Sequence, residues 1–223
     1  MKNVTLSLLV CSFCLFFAAS TSAQNWKRGS ITGEGSSVKK ELDIADFTGI
    51  GLGISADIYL TKGRQKVTIE AQQNIIDNLK KDVKSGTWHI EHDKNVKNHN
   101  KITIWISMTS VEELSIAGSG RIITEDSFDG LGDLEFSRAG SGTTQFAGSA
   151  TSLEVSIAGS GDVKAGDLKV ENCEVSISGS GDCSIEVSKK LEVSIAGSGD
   201  VRYKGSPRVS SSIAGSGDVR SMN

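Results

Sequence analysis

Four aspartates, Asp162, Asp182, Asp200 and Asp218, each stand directly after a Gly-Ser-Gly tripeptide. If the units that carry them stack in register, neighbouring carboxylates lie ~4.8 Å apart. Like charges at that distance repel unless they are solvated, hydrogen-bonded or bridged by a cation. Calcium is one answer, because calcium-binding repeats use Gly-Gly-x-Gly-x-Asp turns. Here, however, the Asp follows the second glycine with no spacer, and the phrase returns only once in roughly 20 residues. The four aspartates are therefore calcium candidates of second choice. An Asx-type turn, with each carboxylate accepting nearby backbone N–H groups, is the preferred expectation.

Other side chains with chemistry of their own are few. Cys173 and Cys183 are the two cysteines downstream of residue 23. In an exported chain such a pair suggests a disulfide; the alternative is two buried thiols acting as small hydrophobes. A row of Glu135, Glu154, Glu174 and Glu192 runs beside a row of Ser156, Ser176, Ser194 and Ser212. That is an acidic binding surface or, more simply, a solvated face that discourages edge-to-edge aggregation. Lys164, Arg202 and Arg220 fall where they can lie beside the aspartates as a stripe of salt bridges. The three histidines fall between His89 and His99. His89 and His92 have opposite strand parity, so no shared metal site is expected of them, and no nucleophile elbow accompanies them. Tyr59 and Trp105 have outward parity and are expected to pack under a neighbouring segment rather than to serve as sugar platforms.

The element that must position these residues is a repeat. The phrase Ser-Ile-Ala-Gly-Ser-Gly-Asp-Val runs over residues 156–163, 194–201 and 212–219, with a variant at 176–183 and looser copies at 115–121 and 137–143. Its first glycines, Gly118, Gly140, Gly159, Gly179, Gly197 and Gly215, are spaced by 22, 19, 20, 18 and 18 residues. A period of about 20 means a solenoid, because one such unit cannot bury its own apolar face and must stack on the next. Parity supports this. Leu153, Val155, Ile157, Val163, Ala165, Leu168 and Val170 point inward as strand residues, and Glu154, Ser156, Asp162, Lys164 and Lys169 point outward. Arg121, Arg138, Thr143 and Cys183 depart from the repeat.

Upstream of residue 111 the pattern is also strand-like. Val38–Ile44 alternates, and Ile50, Leu52, Ile54, Ala56, Ile58 and Leu60 share one parity. Thr61–Gln65 reads as a turn, Lys66–Ala71 as the returning strand, Asn74–Leu79 as one helical turn. Strands are expected at Thr87–His92 and Lys101–Met108, with the polar run Asp93–Asn100 as a hairpin loop between them. The division is a signal peptide over 1–23, a flexible arm over 24–37, a β-rich part over 38–110 and the solenoid over 111–223. The signal is read from Lys2, the apolar run Leu6–Ala19 and the small residues ending at Ala23. Cys11 and Cys14 lie inside that apolar run, without the small residue that lipidation wants before them. No transmembrane segment is expected after cleavage.

The chain resembles the bacterial head GIN domain family of autotransporter-adhesin-like proteins. The resemblance rests on Gly33-Glu34-Gly35, Phe47-Thr48-Gly49-Ile50, Ser55-Ala56-Asp57-Ile58-Tyr59-Leu60, Asn74-Ile75-Ile76 and the serial Gly-Ser-Gly-Asp corners. It implies a right-handed β-helix-like, all-β fold carried by secreted or envelope proteins of Bacteroidetes-type bacteria. It brings no catalytic or ligand residues.

With 27 acidic and 24 basic side chains and a net charge of −3, the chain lacks the basic surface that nucleic-acid binding needs. No cofactor is implied. The expected function is a non-enzymatic exported protein, in the periplasm, at the outer membrane surface or secreted, that binds an envelope, glycan or protein partner. The alternatives are a purely structural scaffold or, by analogy of fold alone, a polysaccharide-active enzyme.

Overall fold

The computed structural model describes residues 29–222. The expected signal peptide, with Cys11 and Cys14, lies outside the described residues. Strands β1 (Ser37–Leu42), β2 (Gly49–Leu52), β3 (Asp57–Lys62) and β4 (Lys66–Gln72) lead into a short helix, α1 (Gln73–Asp77). Then come β5 (Val83–Lys84), β6 (Thr87–Ile90), β7 (Thr103–Met108), β8 (Glu113–Gly118) and β9 (Arg121–Thr124). Three long strands that bend around the molecule follow β10 (Phe128–Gly140): β11 (Thr143–Gly159), β12 (Asp162–Gly179) and β13 (Cys183–Gly197). The described part closes with β14 (Val201–Lys204), β15 (Arg208–Gly215) and β16 (Val219–Ser221).

All of them join one solenoidal sheet. One face runs β5-β6-β2-β8-β10 and continues through the second halves of β11, β12 and β13 to β15. The other runs β1-β4-β7-β3-β9 and continues through the first halves of β11, β12 and β13 to β14 and β16. Apart from β1, β4 and β5 the pairing is parallel. On either side of the Gly-Ser-Gly corners the repeats sit in register, the shifts falling at the turns between them: Ile116, Arg138, Ile157, Ile177, Ile195 and Ile213 share one slot, and Ile122, Thr144, Val163, Cys183, Val201 and Val219 another. These inward slots build the aliphatic ladders of a single core. Val155, Val175 and Leu191 are fully buried in it, each worth roughly 1.5–3 kcal/mol of burial.

The corner between the faces requires glycine at two places. Gly179 has φ +134, a conformation that side chains avoid. A Cβ on Gly181 would meet Ile157 Cγ2 at 2.8 Å, so the second glycine lets each corner settle on the aliphatic ladder of the preceding coil.

Two local expectations are corrected. Lys66–Ala71 does return, as β4, but not onto β3; β7 lies between them, parallel to β3 and antiparallel to β4. Asp93–Asn100 is not a hairpin loop, because β6 and β7 belong to opposite faces. The reason is the order of the coils. The unit β6–β7 stacks outside β2–β3, and the chain then passes over β2–β3 to place β8 on its other side. Thus β2 pairs directly with β8 across residue 110.

The outermost coil, β6–β7, is closed by hydrogen bonds to side-chain amides. Asn78 receives Lys94 N–H and donates to the Lys94 carbonyl at 2.9 Å each, Gln72 receives Asn100 N–H at 2.9 Å, and Asn74 receives Glu34 N–H at 3.0 Å. The described part of the entry arm is held too: Ile31 N–H donates to the Asn95 carbonyl at 2.9 Å and its carbonyl accepts Lys97 N–H at 3.0 Å.

Candidate functional site

The aspartate column forms, but its hydrogen bonds run between coils rather than within a turn. Asp162 Oδ1 accepts the backbone N–H of Asp182 at 3.3 Å, Asp182 Oδ1 that of Asp200 at 2.9 Å, and Asp200 Oδ1 that of Asp218 at 3.1 Å. In return the Asp182, Asp200 and Asp218 carbonyls accept the N–H groups of Val163, Cys183 and Val201. Each carboxylate thus completes the backbone ladder at the corner, where the strand pairing lapses. Asp218 has no described coil beyond it, and its Oδ1 takes the local Val219 N–H at 2.6 Å. The Arg202 guanidinium reaches Asp200 at 3.4 Å and Asp182 at 3.7 Å. Arg220 holds Asp218, whose carboxyl it draws below the usual range with help from the Val219 N–H. Among the described residues no three His, Cys, Asp or Glu side chains gather as a metal-holding group.

The same column begins differently. Asp57 and Arg121 are register partners, and the Arg121 guanidinium grips the Asp57 carboxylate in two bonds of 2.8 and 2.6 Å. Lys101 Nζ lies 2.8 Å from the same carboxylate. Arg121, foremost, and Lys101 hold the Asp57 carboxyl below its ordinary range against the opposing effect of burial. Arg121, a departure from the repeat, is therefore the counter-ion of the previous coil.

Arg138 is the stronger departure. It occupies the inward slot between Ile116 and Ile157 and is 4% exposed. Its Nη1 donates to the Gly142 carbonyl and its Nη2 to Thr144 Oγ1, while Nε is buried with no partner. Burial pulls the guanidinium down to about 10; Asp162 and Cys183 oppose the shift. The repeat marked Arg138 as a departure, and its parity with Ile116 and Ile157 is the signal that could have placed it inward.

Cys173 and Cys183 fill the inward slots of Leu153/Leu191 and Val163/Val201, and both are free thiols in the structure rather than a disulfide. Burial pushes the Cys183 thiol up to about 12 and Cys173 upward as well, so neither supplies a thiolate nucleophile near neutral pH.

On the other face Glu113, Glu135, Glu154, Glu174 and Glu192 lie in register, followed in the last coil by Ser210. Beside them run Ser115, Ser137, Ser156, Ser176, Ser194 and Ser212. Glu113 accepts from Thr87 at 2.8 Å, Glu135 from Ser137 at 3.0 Å, and Glu192 pairs with Lys190 at 2.9 Å. Partial burial, then Glu135 and Glu174 on either side, push the Glu154 carboxyl up.

Tyr59 and Trp105 stack at 6.3 Å between centroids, and Lys39 Nζ sits 4.0 Å from the centre of the Trp105 ring. The indole is thus packed between Tyr59 and the entry strand. His92 and His99, unlike His89, come together: their rings are 6.5 Å apart beside an open depression of about 490 Å³ lined also by Lys80, Glu91 and Asp93. His92 is held below its ordinary pKa by burial and then by His99. Sequence parity missed this pair, because the loop after β6 leaves the strand and folds back.

A family model described as "Putative auto-transporter adhesin, head GIN domain" matches residues 46–207. No curated protein matches the chain. Among solved structures, a "putative adhesin" from Bacteroides fragilis NCTC 9343 is 22% identical with a TM-score of 0.71, covering 86% of this chain and 100% of that one. A "putative adhesin" from Parabacteroides merdae ATCC 43184 is 18% identical with a TM-score of 0.52, covering 87% and 99%. A "putative lipid binding protein" from Parabacteroides distasonis ATCC 8503 is 23% identical with a TM-score of 0.50, covering 87% and 100%. At these identities the likeness is one of fold.

Proposed function

Because this chain belongs to the head GIN domain family of auto-transporter-adhesin-like proteins, we propose that it is an exported, non-enzymatic binding module of the cell envelope or surface. Its ligand lies along the glutamate-serine face of the solenoid. No helix among the described residues is long and apolar enough to cross a membrane.

One observation carries this reading. Glu154 stands in register between Glu135 and Glu174, and its carboxyl is pushed up by burial first and then by both of them. A rigid row of like charges, flanked by a row of hydroxyls at the inter-strand spacing of ~4.8 Å, stores repulsion that a donor-rich ligand relieves. A polyhydroxylated or cationic polymer, lying across several coils, fits that geometry. Such a ligand is gripped by many weak contacts repeated along one direction, which is how an extended solenoid face binds.

The test is a binding assay of purified chain against immobilised glycans and envelope extracts, with Glu154→Gln/Glu174→Gln as the comparison. The amides keep the shape and remove the charge. Binding falls by about tenfold or more, roughly 1.4 kcal/mol, while circular dichroism and melting temperature hold or improve. Unchanged binding by the double variant sinks the glutamate face as the site. Adhesion of cells lacking the gene at the wild-type level sinks the binding reading itself, and recovery of the chain in the cytoplasmic fraction sinks export.

A further inference from the structure

The loop that closes the outermost coil, after β6, carries His92 and His99 and has little freedom. The backbone of His92 bridges that of Leu79 in an antiparallel contact. Asn78 grips Lys94 through both its N–H and its carbonyl, at 2.9 Å each. The Ile31 carbonyl accepts Lys97 N–H at 3.0 Å, and Gly33 N–H donates to the Asn98 carbonyl at 2.7 Å. Gln72 receives Asn100 N–H at 2.9 Å. Both ends of the span from His92 to His99 are thus fixed. A site built on it loses little entropy when it binds.

The ring nitrogens supply the chemistry. His99 Nδ1 lies 2.6 Å from the Asn100 carbonyl. A carbonyl can only accept, so Nδ1 carries the proton and Nε2 of the neutral ring keeps its lone pair. A backbone carbonyl on the second nitrogen is the support that metal-bound imidazoles ordinarily have. His92 Nδ1 is buried without a hydrogen-bond partner, which native structures seldom leave without a reason. The two rings are 6.5 Å apart between centres and inclined at 63°. Two imidazoles on one ion, with metal–nitrogen bonds of ~2.0–2.1 Å, place their centres roughly 5–6.5 Å apart. His99 is exposed, so a small rotation of its ring brings the pair to the closer end of that range. Burial, and then His99, disfavour the protonated form of His92. The ring is therefore neutral at neutral pH, as a metal ligand must be.

We propose that His92 Nδ1 and His99 Nε2 together bind one divalent transition-metal ion of the imidazole-preferring class, such as zinc or nickel. Among the described residues no group of three His, Cys, Asp or Glu forms here. The ion therefore has two protein ligands, and water from the adjoining depression of about 490 Å³ fills its other positions. Oxygen-preferring ions such as calcium and magnesium find no such cage here. A bound ion ties together two points of the closing loop, so it stabilises the outermost coil. The site lies at the end of the stack and rests on no property of the glutamate face.

Isothermal titration of the untagged, chelator-stripped chain with zinc or nickel chloride, at about pH 7.5 where histidines are neutral, reads the outcome. The expected result is one ion per chain for either metal, and no binding of calcium or magnesium. His92→Gln and His99→Gln each weaken binding by about tenfold or more. His89→Gln, whose ring lies over Gly51 of β2, leaves it unchanged. Saturating zinc raises the melting temperature of the parent chain and not that of His99→Gln, whose exposed position keeps the fold intact by circular dichroism. In long-range proton–nitrogen NMR spectra zinc moves the signals of His92 Nδ1 and His99 Nε2 and leaves those of His89 in place. Absence of binding at millimolar zinc overturns the proposal. So does binding that survives either substitution, an equal loss in His89→Gln, or zinc shifts on other ring nitrogens.

Discussion

The two ends of this solenoid solve one problem in opposite ways. A stack of parallel coils leaves an apolar slab and a row of unpaired backbone groups at each end. At the end formed by β6 and β7 the chain covers both. Antiparallel β4 and β1 extend one face, α1 packs Ile75 and Ile76 inward, Gln72 and Asn78 tie down the closing loop, and Asn74 holds the entry arm. At the end formed by β15 and β16 the described chain does neither. It thins the apolar content with Ser211 in the slot of Val193 and drops the column's charge with Ser210 in that of Glu192. The lesson is that a coil's stability comes from its neighbours, so identical residues differ in worth according to depth in the stack.

Substitutions measure that difference. Ile157→Ala, in mid-stack at 2% exposure, should cost about 2–4 kcal/mol in chemical denaturation. Ile213→Ala, in the same slot at 41% exposure, should stay within about 0.5 kcal/mol for the single chain. Equal losses would break the contrast. Next in size is Arg138→Ile. It restores the ladder between Ile116 and Ile157 and removes a buried cation with an unpaired Nε, so stability should rise by about 1–3 kcal/mol. A fall would mean that the Gly142 and Thr144 bonds outweigh the desolvation they offset.

Two smaller effects belong to the closed end and depend on pH. Asp57 is held below the ordinary aspartate pKa of 3.8. Its contribution is fully present above that value and is lost as the pH falls through the lower, folded-state pKa. Asp57→Asn should therefore be the less stable protein at neutral pH, with the gap closing in strong acid; a gap independent of pH would deny the ion pair its role. His92 is held below 6.5, so below that pH the unfolded chain binds the proton more readily and stability falls with acidification. His92→Gln should flatten that slope in melting temperatures measured between pH 5 and 7, roughly the window a perturbed histidine crosses. A slope that survives the substitution would assign it elsewhere.

Much of this was legible beforehand. Period-2 parity named the inward residues of β11 and β12 correctly, and the repeat named the corners, the glutamate and serine rows and the Arg202–Asp stripe. Those features arise from local alternation and from equal spacing, both of which a sequence displays directly. The partners of the aspartates were not legible. An Asx turn within the coil and a bond to the next coil call for the same residue at the same place, and the choice depends on how closely the coils approach. The meeting of His92 and His99 was hidden for a related reason, since parity ends where a strand ends.

By itself, then, the sequence determined that the chain coils, where it turns and which side of each strand is apolar, because these follow from side-chain alternation and glycine conformation over a few residues. The tertiary structure alone decided the order in which the coils stack, with β6–β7 outside β2–β3. It also decided that Arg121 answers Asp57 from the next coil, and that one end is closed while the described edge of the other stays open. Those are matters of long-range register, in which segments dozens of residues apart compete for the same backbone partners, and the outcome is settled only when the whole stack is assembled.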